Sequence, residues 1–176
     1  DIINNLLDYA RTPTLKSEKF DIHCLIRECI SMLKPAYNNS HIQIQFDEKA
    51  DNEIIIADEG QIKQIVINII LNAVQAVDSV SGKVIISTNF GKIKNQIAIS
   101  IQDNGPGIGN DISVKIFDPF FTTRGPDKGT GLGLSTARRI TEAHGGKLEL
   151  VNWDPGNTIF TITLPINREI NTKPIA

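Results

Sequence analysis

Cysteine is scarce in this 176-residue chain, which has two, Cys24 and Cys29, five positions apart in a stretch of helical pattern. That spacing fits neither a disulfide framework nor a zinc site, so both are expected as buried, reduced thiols. Long hydrophobic runs are missing as well. The longest, Ile54–Ala57, falls far short of the roughly 20 residues that cross a bilayer, so a soluble, cytoplasmic piece is expected, whether or not other parts of the protein are anchored. There is no excess of one charge: 18 Lys and Arg against 20 Asp and Glu give −2, which supplies no general attraction to nucleic acid or anionic lipid. No basic and apolar leader opens the chain. Its start, with Ile2, Ile3, Leu6 and Leu7, is already apolar and periodic, so it reads as the end of a helix entering from upstream. What is present, 40% hydrophobic and 22% charged residues, matches one ordinary globular domain.

The hydrophobic pattern divides the chain. Residues 1–12 carry Ile3, Leu6, Leu7 and Ala10 at helical spacing and stop at Thr12-Pro13; residues 13–20 read as a linker. Asp21 offers an N-cap for a helix over 22–36. Ile42, Ile44 and Phe46 alternate with glutamines as in a half-buried strand, and 54–57 is its expected partner. Over 58–78, Ile62, Ile65, Val66, Ile69, Ile70, Ala73 and Val77 trace one helical face. A second stripe of that helix, Gln61, Gln64, Asn68, Asn72 and Gln75, is polar yet bears no charge, which is unusual for a face open to water. Strands follow at 83–88 and 96–102, then an irregular stretch, a helix over 130–144 closed by Gly145-Gly146, and two more strands around Leu148–Leu150 and Phe160–Leu164. Six strands and three main helices without strict alternation imply an α+β fold, a mixed sheet with helices on one face, over residues 21–166. Residues 167–176 read as a tail.

Chemistry concentrates where glycine does. Seven of the 13 glycines fall between Gly105 and Gly133. Asp103-Asn104-Gly105-Pro106-Gly107 places a carboxylate at a strand end and then turns, which is also ordinary turn chemistry. Gly129-Thr130-Gly131-Leu132-Gly133 runs into an amphipathic helix, where bare N–H groups and the helix dipole favour an anion such as phosphate. Neither a dinucleotide-binding nor a P-loop pattern is met. Asn68 and Asn72, one turn apart, offer amide oxygens suited to Mg²⁺ beside substrate phosphates. Three of seven phenylalanines, Phe117, Phe120 and Phe121, lie between the glycine clusters and are expected to anchor that loop by burial. Residues 109–128 are expected to work as a lid.

These pieces in this order resemble bacterial sensor histidine kinases: residues 68–73 their N box, 103–107 the G1 box, 117–121 the F box and 129–133 the G2 box. Phe-Phe-Thr-Thr-Arg is most similar to the nitrogen-regulatory type. The resemblance implies the two-layer sandwich (Bergerat-type ATP-binding fold) shared with gyrase, heat-shock chaperones and mismatch-repair ATPases. It also implies ATP and Mg²⁺ as ligands. Asp103 would accept from the adenine amine, with Thr158 of a late Gly-x-Thr helping, and Asn72 would hold the metal. Gly105 and Gly107 would turn the chain under the base. Gly129, Thr130, Gly131, Leu132 and Gly133 would surround the phosphates, and Lys128 and Arg124 would meet their charge. Asn68 occupies the position where hydrolases of the superfamily carry a general-base glutamate; its amide takes up no proton, which favours phosphoryl transfer to histidine over hydrolysis. None of His23, His41 and His144 has an acceptor-like setting, so the acceptor is expected upstream, on a hairpin whose end is 1–12. The implied partners are that hairpin, a response-regulator receiver domain and a second copy of the full-length protein, the fragment alone being a monomer; nucleic acid is not among them. The competing reading is a nucleotide-regulated binding module or an ATP hydrolase.

Overall fold

The computed structural model describes residues 16–38, 40–50, 54–90, 95–124 and 129–166. The stretches 1–12 and 167–176, and Lys128, lie outside them. Asp21 ends β1 (Glu18–Asp21) and caps α1 (Ile22–Tyr37), accepting the His23 and Cys24 N–H groups at 2.7 and 3.0 Å. The expected linker is thus partly a strand. β2 (Gln43–Glu48), β3 (Ile54–Ala57), α2 (Glu59–Ala76), β4 (Lys83–Phe90) and β5 (Gln96–Asp103) follow. The stretch expected to be irregular holds a short α3 (Asn110–Ser113). α4 (Gly133–Ala143), β6 (Lys147–Asp154) and β7 (Asn157–Pro165) complete the order, seven strands among the described residues rather than six.

Five strands form one sheet in the order β2-β4-β5-β7-β6. β2 runs parallel to β4 and the other pairs are antiparallel, so the sheet is mixed, as expected. The pairing expected of β2 with β3 does not occur. β3 instead pairs antiparallel with β1, Phe20 opposite Ile55, in a separate two-stranded sheet. Three isoleucines and an alanine in a row carry no period, so nothing in that run chooses its partner. Alternation decides the large sheet: Ile97, Ile99 and Ile101 of β5 and Phe160, Ile162 and Leu164 of β7 are buried, with Ser100 and Thr161 hydrogen-bonded between them on the other face. Ile22, Leu25 and Ile26 of α1, Ile62, Ile65 and Ile69 of α2, and Ala137 and Ile140 of α4 close the same core. Cys29 is buried there. Cys24, expected to be buried too, is exposed, because at three residues after its cap Asp21 it falls on the outer face of α1.

Candidate active site

α2 is capped by Asp58, whose Oδ1 accepts the Gln61 N–H at 3.0 Å. Its apolar stripe enters the core, and the second half of its uncharged polar stripe, Asn68, Asn72 and Gln75, faces a cavity of about 550 Å³, a size ordinary for a small-molecule pocket. Asp103, the last residue of β5, forms the far end. It is 4% exposed and stands opposite Thr158 of β7. The Gly105 N–H donates to its Oδ1 at 2.9 Å, and the Thr158 hydroxyl donates to the carboxylate as well. Burial pushes the Asp103 pKa up, and these two hydrogen bonds oppose the rise. Gly107 has φ of +80°, and a side chain there would lie 2.7 Å from the Trp153 carbonyl oxygen; only glycine passes so close to β6. The wall between is apolar, with Ile108, Ile116, Phe160 and Ala73. A carboxylate acceptor, an apolar slot and a sharp turn together suit a flat, amine-bearing ring.

The opposite end suits an anion. α4 starts at Gly133 with no side chain capping its first amides. Its expected start at residue 130 fails because Gly131 has φ of +66°, outside the helical region. That backbone places Gly131 so close to Phe120 that a Cβ would lie 2.4 Å from the Phe120 carbonyl carbon, and the Phe120 N–H donates to the Gly131 oxygen at 3.0 Å. The Asn68 amide donates from Nδ2 to the Gly133 carbonyl at 3.3 Å, tying α2 to the first turn of α4 and keeping its own oxygen uncommitted by that bond. Among the described residues, no hydrogen bond occupies the Asn72 side-chain amide, and no group of three or more His, Cys, Asp or Glu could hold a metal.

The loop between these ends is pinned by two of its phenylalanines. Phe117 packs edge-on against Phe160 at 6.3 Å and lies under the Arg138 guanidinium at 5.3 Å, while Phe121 lines the cavity. Phe120 is the correction: it is 59% exposed, with φ of +65°, since its backbone is committed to Gly131 and its ring is turned outward.

Residues 57–168 match the family of histidine kinase-, DNA gyrase B- and HSP90-like ATPases, which is more than half of the chain. The chain belongs to that family. Among relatives of this ATPase family, AtoS, a signal transduction histidine-protein kinase of Escherichia coli K12, is 38% identical over 97% of the chain. NtrB, a sensory histidine kinase/phosphatase of E. coli O157:H7, is 30% identical over 96% of it. The chain spans 27% of AtoS and 50% of NtrB. Two solved histidine kinases share the fold: ShkA in complex with AMPPNP, with TM-score 0.83 and 27% identity over 93% of this chain and 35% of that one, and ThkA in complex with the response regulator TrrA, with TM-score 0.79 and 29% identity over 97% and 48%.

Of the residues expected at the ATPase site, Asn68, Asn72, Asp103, Gly107, Gly129, Thr130, Gly131, Gly133 and Thr158 line the one cavity. Gly105 and Leu132 are not in its lining but adjoin residues that are, the first bonded to Asp103 and the second directly preceding Gly133. Lys128 lies outside the described residues. Missed by sequence reasoning were the apolar wall and the bond of Gln75, already singled out in the uncharged stripe, to Arg124. Ile108, set between two glycines, was the one signal of that wall; nothing local marks Ile116 or Phe160 as facing a ligand.

Proposed function

We propose that this chain is the catalytic domain of a sensor histidine kinase, binding Mg²⁺-ATP and directing its terminal phosphoryl group to a histidine on another segment, for relay to a response-regulator aspartate. One observation carries the reading: the Asp103 carboxylate, the Asn72 amide and the uncapped start of α4 face a single cavity from three different elements. In this reading Asp103, steadied by Gly105 and Thr158, accepts from the adenine amine. The amides of Gly131–Gly133 and the N-terminal end of α4 hold phosphate oxygens. The Asn72 oxygen is suited to Mg²⁺, which takes few protein ligands beside phosphates and water and, when bound, neutralises developing charge. Asn68 keeps the site free of a general base, so transfer to a neutral imidazole, which needs no base to expose its lone pair, is favoured over attack by water. The name of ShkA's ligand and ThkA's complex with a response regulator support the reading by kinship.

Titration calorimetry tests it. Mg²⁺-ATP and ADP bind the parent; Asp103→Asn binds neither detectably, and Asn72→Ala loses chiefly the part of ATP affinity that depends on Mg²⁺. No binding by the parent, or equal binding by Asp103→Asn, defeats the proposal.

A further inference from the structure

Arg124 is a cation on the wall of a cavity one end of which suits an anion, and the structure gives its guanidinium two neutral partners on α2. Its NH1 donates to Gln75 Oε1, and its NH2 donates to the Asn72 carbonyl oxygen at 3.5 Å. Gln75 is three residues after Asn72 and so on the same face of α2. Partial burial pulls the Arg124 pKa down from its usual value. The contrast with Arg27 is instructive, since that guanidinium grips the Glu48 carboxylate through two bonds of 2.9 and 2.6 Å. A phosphate adds to the guanidinium bond an attraction between opposite charges and a bidentate fit, neither of which a neutral amide or carbonyl oxygen supplies. A fork held by an amide and a peptide carbonyl therefore gives up its partners readily to phosphate. The stem of Arg124 is also well placed for exchange, because a Cβ on Gly129, the first residue of the glycine segment before α4, would lie 3.7 Å from the Arg124 Cβ.

We infer that Gln75 is a positioning residue that parks the Arg124 guanidinium on α2, and that nucleotide phosphate competes with Gln75 for it. Gln75 thus sets nucleotide affinity through Arg124, without touching the nucleotide. The inference rests on the proposed function, since it takes the competing anion to be the phosphate of ATP. It also gives the absence of charge at position 75 a reason. A glutamate there would hold the arginine as tightly as phosphate does, and the handover would stall.

The test is a double-mutant cycle on this chain with Gln75→Ala, Arg124→Ala and the pair, read by calorimetry with Mg²⁺-ATP. Releasing the parked side chain tightens binding of Gln75→Ala roughly threefold, and losing the cation weakens Arg124→Ala roughly tenfold. The double variant matches Arg124→Ala, because Gln75 has nothing left to act on. Gln75→Glu weakens binding more in the presence of Arg124 than in the Arg124→Ala background. Hydrogen exchange in nucleotide-free protein gives a second readout: Gln75→Ala and Arg124→Ala accelerate exchange at the Thr123 and Arg124 amides to the same extent. Additive effects of the two substitutions, weaker binding by Gln75→Ala whether or not Arg124 is present, or unchanged exchange would each overturn the inference while leaving the proposed function standing. A parent that binds no nucleotide would instead remove the proposed function, and this inference with it.

Discussion

Asp103 meets two opposed demands, because a buried carboxylate is costly to the fold and useful to the site. A carboxyl whose pKa is higher in the folded protein than in the unfolded chain binds its proton more tightly when folded. Stability therefore falls as pH rises from the ordinary value of 3.8 through the raised folded value, and the full cost is present above that raised value. Asp103→Asn removes that cost and keeps an oxygen for the Gly105 N–H. Its melting temperature at neutral pH, without nucleotide, should equal or exceed the parent's, with the advantage shrinking as pH is lowered into the carboxylate range. A lower melting temperature at neutral pH, with the deficit shrinking as pH falls into the carboxylate range, would show that the charge supports the fold instead. Asn68 poses the complementary question of what the absence of a carboxylate does. Asn68→Glu should raise ATP hydrolysis by this chain, though by less than the roughly 10²–10⁴-fold of a well-placed base, since the bond to the Gly133 carbonyl is lost. Asn68→Ala controls for that loss. If Asn68→Glu binds Mg²⁺-ATP yet hydrolyses it no faster than the parent, exclusion of water rather than lack of a base holds hydrolysis down.

At the scale of elements, the loop carrying Phe117–Phe121 and the glycine segment before α4 are locked together through one contact, Gly131 against Phe120. Gly131→Ala puts a methyl where the Phe120 backbone stands and forces alanine into a left-handed conformation. It should cost roughly 1–3 kcal/mol of stability, measured by denaturant unfolding, and reduce nucleotide affinity. Gly145→Ala is the informative comparison, because Gly145 has φ of +72° but nothing within 4 Å of the added methyl, so it should strain the backbone and spare binding. Equal affinities for the two variants would mean that the contact with Phe120 does not shape the site. Much of this was legible beforehand: α2 from its run of isoleucines at helical steps, β5 and β7 from strict alternation, and the cavity from the density of glycine. What was not legible depends on the third dimension. The partner of β3 is chosen by the backbone of 18–21, the outward turn of Phe120 by its bond to Gly131, and the meeting of Gln75 with Arg124 by a return of the chain 49 residues later. Local propensity holds no record of any of these.

For the molecule as a whole, the three histidines bear on where a phosphoryl group can go. His23 and His144 are 2% and 3% exposed, the first bonded through Nε2 to Thr88, the second accepting the Asp58 N–H and bonded to the Ile140 carbonyl. Both ring nitrogens of His144 are thus committed to holding the C-terminal end of α4 against the cap of α2. His41 is exposed, but its N–H donates to the Ser79 carbonyl, just beyond the C-terminal end of α2, where Ala76 lies close to Gly105 and the proposed adenine end. The anion end is at Asn68, eight residues earlier on α2, roughly 12 Å away along the helix axis. No histidine among the described residues is therefore both reachable and near the proposed phosphate end. This chain, incubated alone with Mg²⁺ and radiolabelled ATP, should acquire no acid-labile label, while a chain that includes a phosphoacceptor hairpin of the same protein should be labelled, in the same molecule or in trans. Label on His41 would place the phosphates at the wrong end of the cavity. Label on His23 or His144 would require the core around α1 or the junction of α4 with α2 to open during the reaction, so that histidines buried at 2% and 3% exposure become reachable only by local unfolding.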